Sequence, residues 1–85
     1  MTKIGTRDHH VLLALLRDIR TRAGIRQIDV AERMNVPQSM VSKYELGERR
    51  LDVLELRDVC AALDLPLIDF VRELETRLDR EDEAE

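Results

Sequence analysis

Four residues, Gly24, Asn35, Pro37 and Gly47, cut the stretch RTRAGIRQIDVAERMNVPQSMVSKYELGERR (residues 20–50) into pieces too short to be stable as isolated helices. Glycine reaches positive φ at no steric cost, and asparagine tolerates it best among the other residues, so Gly24, Asn35 and Gly47 read as helix stops. Proline suits a first helical position, where its missing N–H would have had no partner. This punctuation predicts one helix from Gln27 to Arg33, burying Ile28, Val30 and Ala31, and another from Pro37 to Glu45 or Leu46. At about 100° per residue, Val36, Met40, Val41 and Tyr44 share one side of the second helix. Gln38, Ser39, Ser42 and Lys43 share the other.

Two short amphipathic helices on a tight turn form a helix-turn-helix, a device that sets one helix in the major groove of duplex DNA. The flanks read as helix too. One starts with Asp8 as its cap and runs to Ala23, with Val11, Leu12, Leu15, Leu16 and Ile19 as its apolar stripe. Asp52 and Glu55 stand in capping-box spacing and open a fourth helix through Val53, Leu56, Val59, Cys60 and Leu63. After a break at Asp64 to Pro66, a fifth runs from Leu67 toward Arg80. No strand alternation, internal repeat or glycine-rich phosphate loop interrupts this, so the expected fold is all-α, a compact five-helix bundle. The expected organisation is an N-terminal arm and helix start (1–10), a helix-turn-helix domain (11–65), a C-terminal helix (66–80) and an acidic tail (81–85).

The chain has 85 residues, 44% of them hydrophobic, which fits a single small domain with a modest core. No apolar run approaches the roughly 20 residues that span a bilayer, and MTKIGTRDHH has no apolar signal core, so a soluble cytoplasmic protein without membrane partners is expected. The net charge of −4 argues against nucleic acid until its distribution is considered. Residues 66–85 hold three basic and eight acidic side chains, a net of −5, which leaves +1 on residues 1–65. Exposed charges more than about 8 Å apart are largely screened at physiological salt, so acidity at one end leaves a basic face elsewhere usable. Cys60 is the single cysteine and sits in an apolar helix, which reads as a buried structural thiol. His9 and His10 are adjacent, point apart on a helix and do not chelate as an i, i+4 pair would. No cofactor or metal is implied.

Residues 16–71 resemble, without gaps, the Xre/Cro/phage-repressor family of helix-turn-helix domains. The resemblance rests on Arg20, Gly24, Gln27, Ala31, Val36, Ser39, Val41, Ser42, Lys43, Tyr44, Glu45, Gly47 and Arg49, with SMVSKYELGERR especially typical. It implies a lambda-repressor-like DNA-binding domain and a transcriptional regulator. It also implies roles. Gln27 caps the second helix and touches a phosphate; Pro37, Gln38, Ser39 and Lys43 face base edges or the adjoining backbone. Arg20 and Glu45 form an internal ion pair. Three positions depart from the pattern. Arg26 stands where a Ser, Thr or Asn cap is common, leaving it to phosphate or to solvent; Pro37 and Met40 each replace a common Ser or Thr.

The chemistry of groove reading sorts the candidates further. Gln38 suits adenine, Lys43 suits guanine O6 and N7 or a phosphate, and the hydroxyls of Ser39 and Ser42 serve several bases. Arg26, Gln27, Arg49 and Arg50 are the expected phosphate contacts, which fix register rather than sequence. Tyr44 and Phe70 read as core, which disfavours the base stacking of single-strand binders. Leu67, Val71, Leu74 and Leu78 are spaced 4, 3 and 4 and form a narrow seam for a partner helix, the alternative being packing on the chain's own helices.

No nucleophile–base pair, metal cluster or cofactor loop is present, so an enzyme is not expected. The leading reading is a dimeric repressor on a palindromic operator. The alternative is an antitoxin-type or controller protein, which binds a partner such as a toxin through its acidic C-terminal part and regulates its own operon. Asp29 and Glu32 offer polymerase an acidic edge in an activator, or are simply solvated.

Overall fold

The computed structural model describes residues 7–83 and the side chains of residues 7–80. Much of the expected N-terminal arm and the side chains of the acidic tail lie outside these. The described chain forms five helices: α1 (Arg7–Arg22), α2 (Gln27–Met34), α3 (Gln38–Glu45), α4 (Val53–Ala62) and α5 (Leu67–Glu83). The backbone of α5 thus runs past Arg80, into the stretch expected to be tail.

Four of the five helices end in the same way. Gly24, Asn35, Gly47 and Asp64 all take left-handed φ, at 72°, 57°, 81° and 58°. Each turn is closed by a reaching-back amide: Ile25 to the Arg20 carbonyl, Val36 to Ala31, Glu48 to Lys43 and Leu65 to Cys60, all at 2.9–3.0 Å. Such caps satisfy carbonyls that the helix end would otherwise leave open, and an apolar residue just beyond the cap packs back on the core. Ile25, Val36 and Leu65 occupy that place and are half-buried against the core. The caps make the connections short and steer each helix across the next.

The core is built from every helix. Leu15 and Leu16 of α1, Val30 and Ala31 of α2, Val41 and Tyr44 of α3, Val59 and Cys60 of α4, and Phe70 of α5 are all but sealed from solvent. α2 packs on α3 and α4; α1 packs on α3 and α5; α4 closes against α5. Cys60 is buried, and burial pushes its thiol up to about 11, which makes it a poor thiolate at neutral pH. Ile28, expected inside, is only half-buried.

Polar ties set the angles between helices. Arg33 of α2 donates to the Ala62 carbonyl at the end of α4 at 2.6 Å. Arg77 of α5 meets Asp18 of α1 at 3.0 Å. Asp52 caps α4 as the spacing predicts: its carboxylate accepts from the Glu55 amide at 2.7 Å, and the Glu55 carboxylate accepts from the Asp52 amide at 3.0 Å.

Candidate nucleic-acid interface

α3 is held by its inner face and free on its outer one. Val41 and Tyr44 point into the core, and burial pushes the Tyr44 hydroxyl upward in pKa, which keeps it neutral. Met40 is half-buried beside them, so it packs rather than projecting. Pro37, Gln38, Ser39 and Lys43 are exposed. Ser42 differs from its three companions. It is half-buried and turns into a cleft shared with Arg17, Arg20, Gln27, Glu45 and Leu46.

Pro37 is the N-cap of α3, with φ −66° and ψ 147°, and not its first helical residue as the sequence suggested. The extended ψ makes the difference. The helix begins one residue later, at Gln38, and no side chain caps it. Its first turn is left to solvent or to a ligand.

One carboxylate anchors the whole unit. Glu45, at the end of α3, accepts from Arg20 Nε at 2.6 Å and from Arg20 Nη2 at 3.0 Å, a bidentate pair. The same carboxylate accepts from Gln27 Nε2 at 3.0 Å, and Arg20 Nη1 donates to the Ile25 carbonyl at 3.0 Å. The side chains of Arg20 and Glu45 are 12% and 6% exposed, so neither is offered outward. Gln27, expected at a phosphate, spends its amide on this anchor and keeps only part of its surface open.

Arg26 is paired rather than loose. Its backbone amide donates to the Asp29 carboxylate at 2.8 Å, and its guanidinium reaches the same group at 2.9 and 3.1 Å. Asp29, the third helical residue, thus supplies the reach-back half of a capping box, while Arg26 offers the first-turn amides no side-chain acceptor. These bonds from Arg26 lower Asp29 to about 2. The i, i+3 spacing of Arg26 and Asp29 is a signal legible in the sequence.

Arg49 is also engaged. It donates to Glu55 at 2.6 Å and to the Arg50 carbonyl at 3.1 Å, so it cinches the loop between α3 and α4. The hydrogen bond to Glu55 raises Arg49 and lowers Glu55 in pKa. In the free protein Arg49 is a latch, and a phosphate would have to draw it away. Arg50 beside it is exposed, and no described acceptor meets its guanidinium.

The expected seam on α5 divides. Leu67 and Leu74 pack partly on the chain's own core. Leu78 is half-buried. The large apolar side chains that α5 exposes are Ile68 and Val71, with Val53 and Leu54 exposed on α4. α1 and α4 flank the side of α5 that carries Leu67 and Leu74, while Val71 of the same seam stays open.

Among the described residues, no helix is long and apolar enough to cross a membrane, and no group of three or more His, Cys, Asp or Glu could hold a metal ion.

A helix-turn-helix family model matches residues 16–70. No curated protein matches the chain. Among solved structures, an XRE-family like protein from Pseudomonas syringae pv. tomato str. DC3000 is 41% identical, with 82% of this chain and 85% of that chain covered and a TM-score of 0.78. The clp gene regulator ClgR from C. glutamicum is 27% identical over 84% of this chain and 91% of its own, with a TM-score of 0.72. The restriction-modification controller protein C.Esp1396I, solved as a tetramer in complex with its natural 35 base-pair operator, is 21% identical over 84% of this chain and 93% of its own, with a TM-score of 0.77. The chain belongs to the Xre/Cro-type helix-turn-helix family of DNA-binding transcription regulators.

Proposed function

We propose that this chain is a sequence-specific transcriptional regulator that reads the major groove of double-stranded DNA with α3 and acts as a homodimer on a palindromic operator. The observation that carries the reading is the exposed row Pro37, Gln38, Ser39 and Lys43 on a helix whose other face is fixed in the core. Each polar member makes no described side-chain bond within the molecule and is free to meet a base edge. Gln38 pairs bidentately with adenine, Lys43 donates to guanine, and Ser39 serves either partner. Ser42 borders this row from its cleft.

Phosphates take the remaining contacts. Arg50 is ready for one as it stands; Arg26, Gln27 and Arg49 reach one by exchanging a present partner. The controller protein on its operator shares the fold at 21% identity, which supports the architecture, while the groove reading rests on α3 itself. Dimerisation through α5 sets two such helices about 34–36 Å apart, one turn of DNA. Excluding polymerase from the bound site makes the protein a repressor.

Selection from random duplex DNA with the purified protein tests this directly. The expected product is an inverted repeat whose half-sites lie one helical turn apart. Recovery of no enriched sequence, with binding that ignores salt, overturns it.

A further inference from the structure

We infer that Arg17 completes a phosphate-binding cleft at the junction of α1, α2 and α3, so that it is a DNA-backbone contact of the recognition unit. The inference rests on the groove reading of α3 and extends it to a residue on a different helix.

The cleft has a volume of about 190 Å³ and is lined by Arg17, Arg20, Gln27, Ser42, Glu45 and Leu46. Its charges do not cancel. Glu45 is answered by the bidentate bond from Arg20 and by the Gln27 amide. Asp18, the carboxylate next to Arg17 in sequence, is taken by Arg77. Arg17 is exposed, and no described acceptor meets its guanidinium. One positive charge therefore stands over the cleft without a counter-charge.

The cleft also lies in the right place. Arg17 is one helical turn before Arg20, and Ser42 is one turn after Ser39, so the cleft borders the exposed row of α3 on one side. A strand whose bases meet Gln38 and Ser39 runs its backbone along this border. Its phosphate oxygens find the Arg17 guanidinium and the Ser42 hydroxyl, both donors. The Arg20–Glu45–Gln27 cluster forms the rigid wall behind them.

Each neutralised phosphate contributes about 0.9 to the slope of log affinity against log salt. Arg17→Gln should therefore flatten that slope by about one unit and weaken every duplex alike, and Arg17→Lys should restore it. On duplexes carrying single methylphosphonates along the operator, one position should abolish the difference between wild type and Arg17→Gln. An unchanged slope overturns the assignment, as does a loss that is additive with every methylphosphonate. Gln38→Ala, measured alongside, should alter base preference and leave the slope in place. If wild type itself shows no salt-dependent duplex binding, the groove reading fails and the Arg17 contact with it. If wild type binds and Gln38→Ala shifts preference while Arg17→Gln does nothing, only the Arg17 contact fails.

Discussion

Arg20 and Glu45, separated by 25 residues, meet in a two-point ion pair of 2.6 and 3.0 Å that fastens α1 to the end of α3. Both side chains are nearly sealed, so removing one leaves the other buried without a counter-charge. Breaking a buried pair in this way costs about 3 kcal/mol or more. Arg20→Ala and Glu45→Ala should each lower the unfolding free energy by about that amount, and the double variant should lose much less than their sum. Urea titration of the three variants measures this, and simple additivity would count against the anchor.

Readout by α3 should separate from affinity. Gln38→Ala is expected to relax preference at one base step in each half-site by about 1–3 kcal/mol, the range for a bidentate base contact, while non-specific binding persists. Competition assays over all single-base operator variants provide the measurement. Equal loss on every sequence is the outcome that removes Gln38 from the groove.

The neighbouring arginines should divide their effects. Arg50→Ala should flatten the salt dependence of DNA binding by up to about one log–log unit and leave thermal unfolding unchanged. Arg49→Ala frees the loop after α3 from Glu55, so its melting temperature should fall, and Glu55→Gln should reproduce that fall. Glu55 is held below its ordinary pKa, so the latch is complete above that value and weakens as pH drops through the lowered one. Identical behaviour of the two arginine variants would refute this division.

Asp29 gives the sharper pH signature. Its pKa falls from 3.8 to about 2 on folding, so its contribution is whole above about 4 and disappears as pH falls to about 2. Asp29→Asn should melt below wild type at neutral pH, and the two curves should converge across that acid window. A gap that stays constant from pH 7 to pH 2 would show that the carboxylate charge is irrelevant to α2.

The dimer prediction moves with the packing. Leu74 supports the intramolecular core, so a charge there confuses folding with assembly. Ile68 is 63% exposed and can carry the test instead. Ile68→Arg, alone or with Val71→Arg, should yield folded monomers by sedimentation, with circular dichroism unchanged. A persisting dimer places the interface elsewhere.

The helices and three of their four left-handed stops were legible because glycine and asparagine declare positive φ by residue type. Asp64 takes the same conformation and was read as an undifferentiated break, since aspartate announces turns of many kinds. The exposed members of α3 followed from angular spacing alone, as did the buried Val41 and Tyr44. Side-chain partners were harder. Arg26 with Asp29 is a local pair that spacing could have revealed, whereas Arg49 with Glu55 depends on how the loop folds back. Arg17 was legible only as one of several basic residues on the approach side, with Arg22 and Arg33, whose stems could equally cover apolar neighbours; the cleft it shares with Ser42 belongs to the folded chain. The seam on α5 shows the converse: the periodicity was real, but the chain's own helices claimed half of it.

Because the outward residues of α3 prop up nothing within the molecule, they are interchangeable parts on a fixed mount. On the proposed groove reading, exchanging Gln38, Ser39 and Lys43 together should retarget the protein to a different address without retooling its scaffold, whereas an edit to the Glu45 carboxylate should misalign the mount itself.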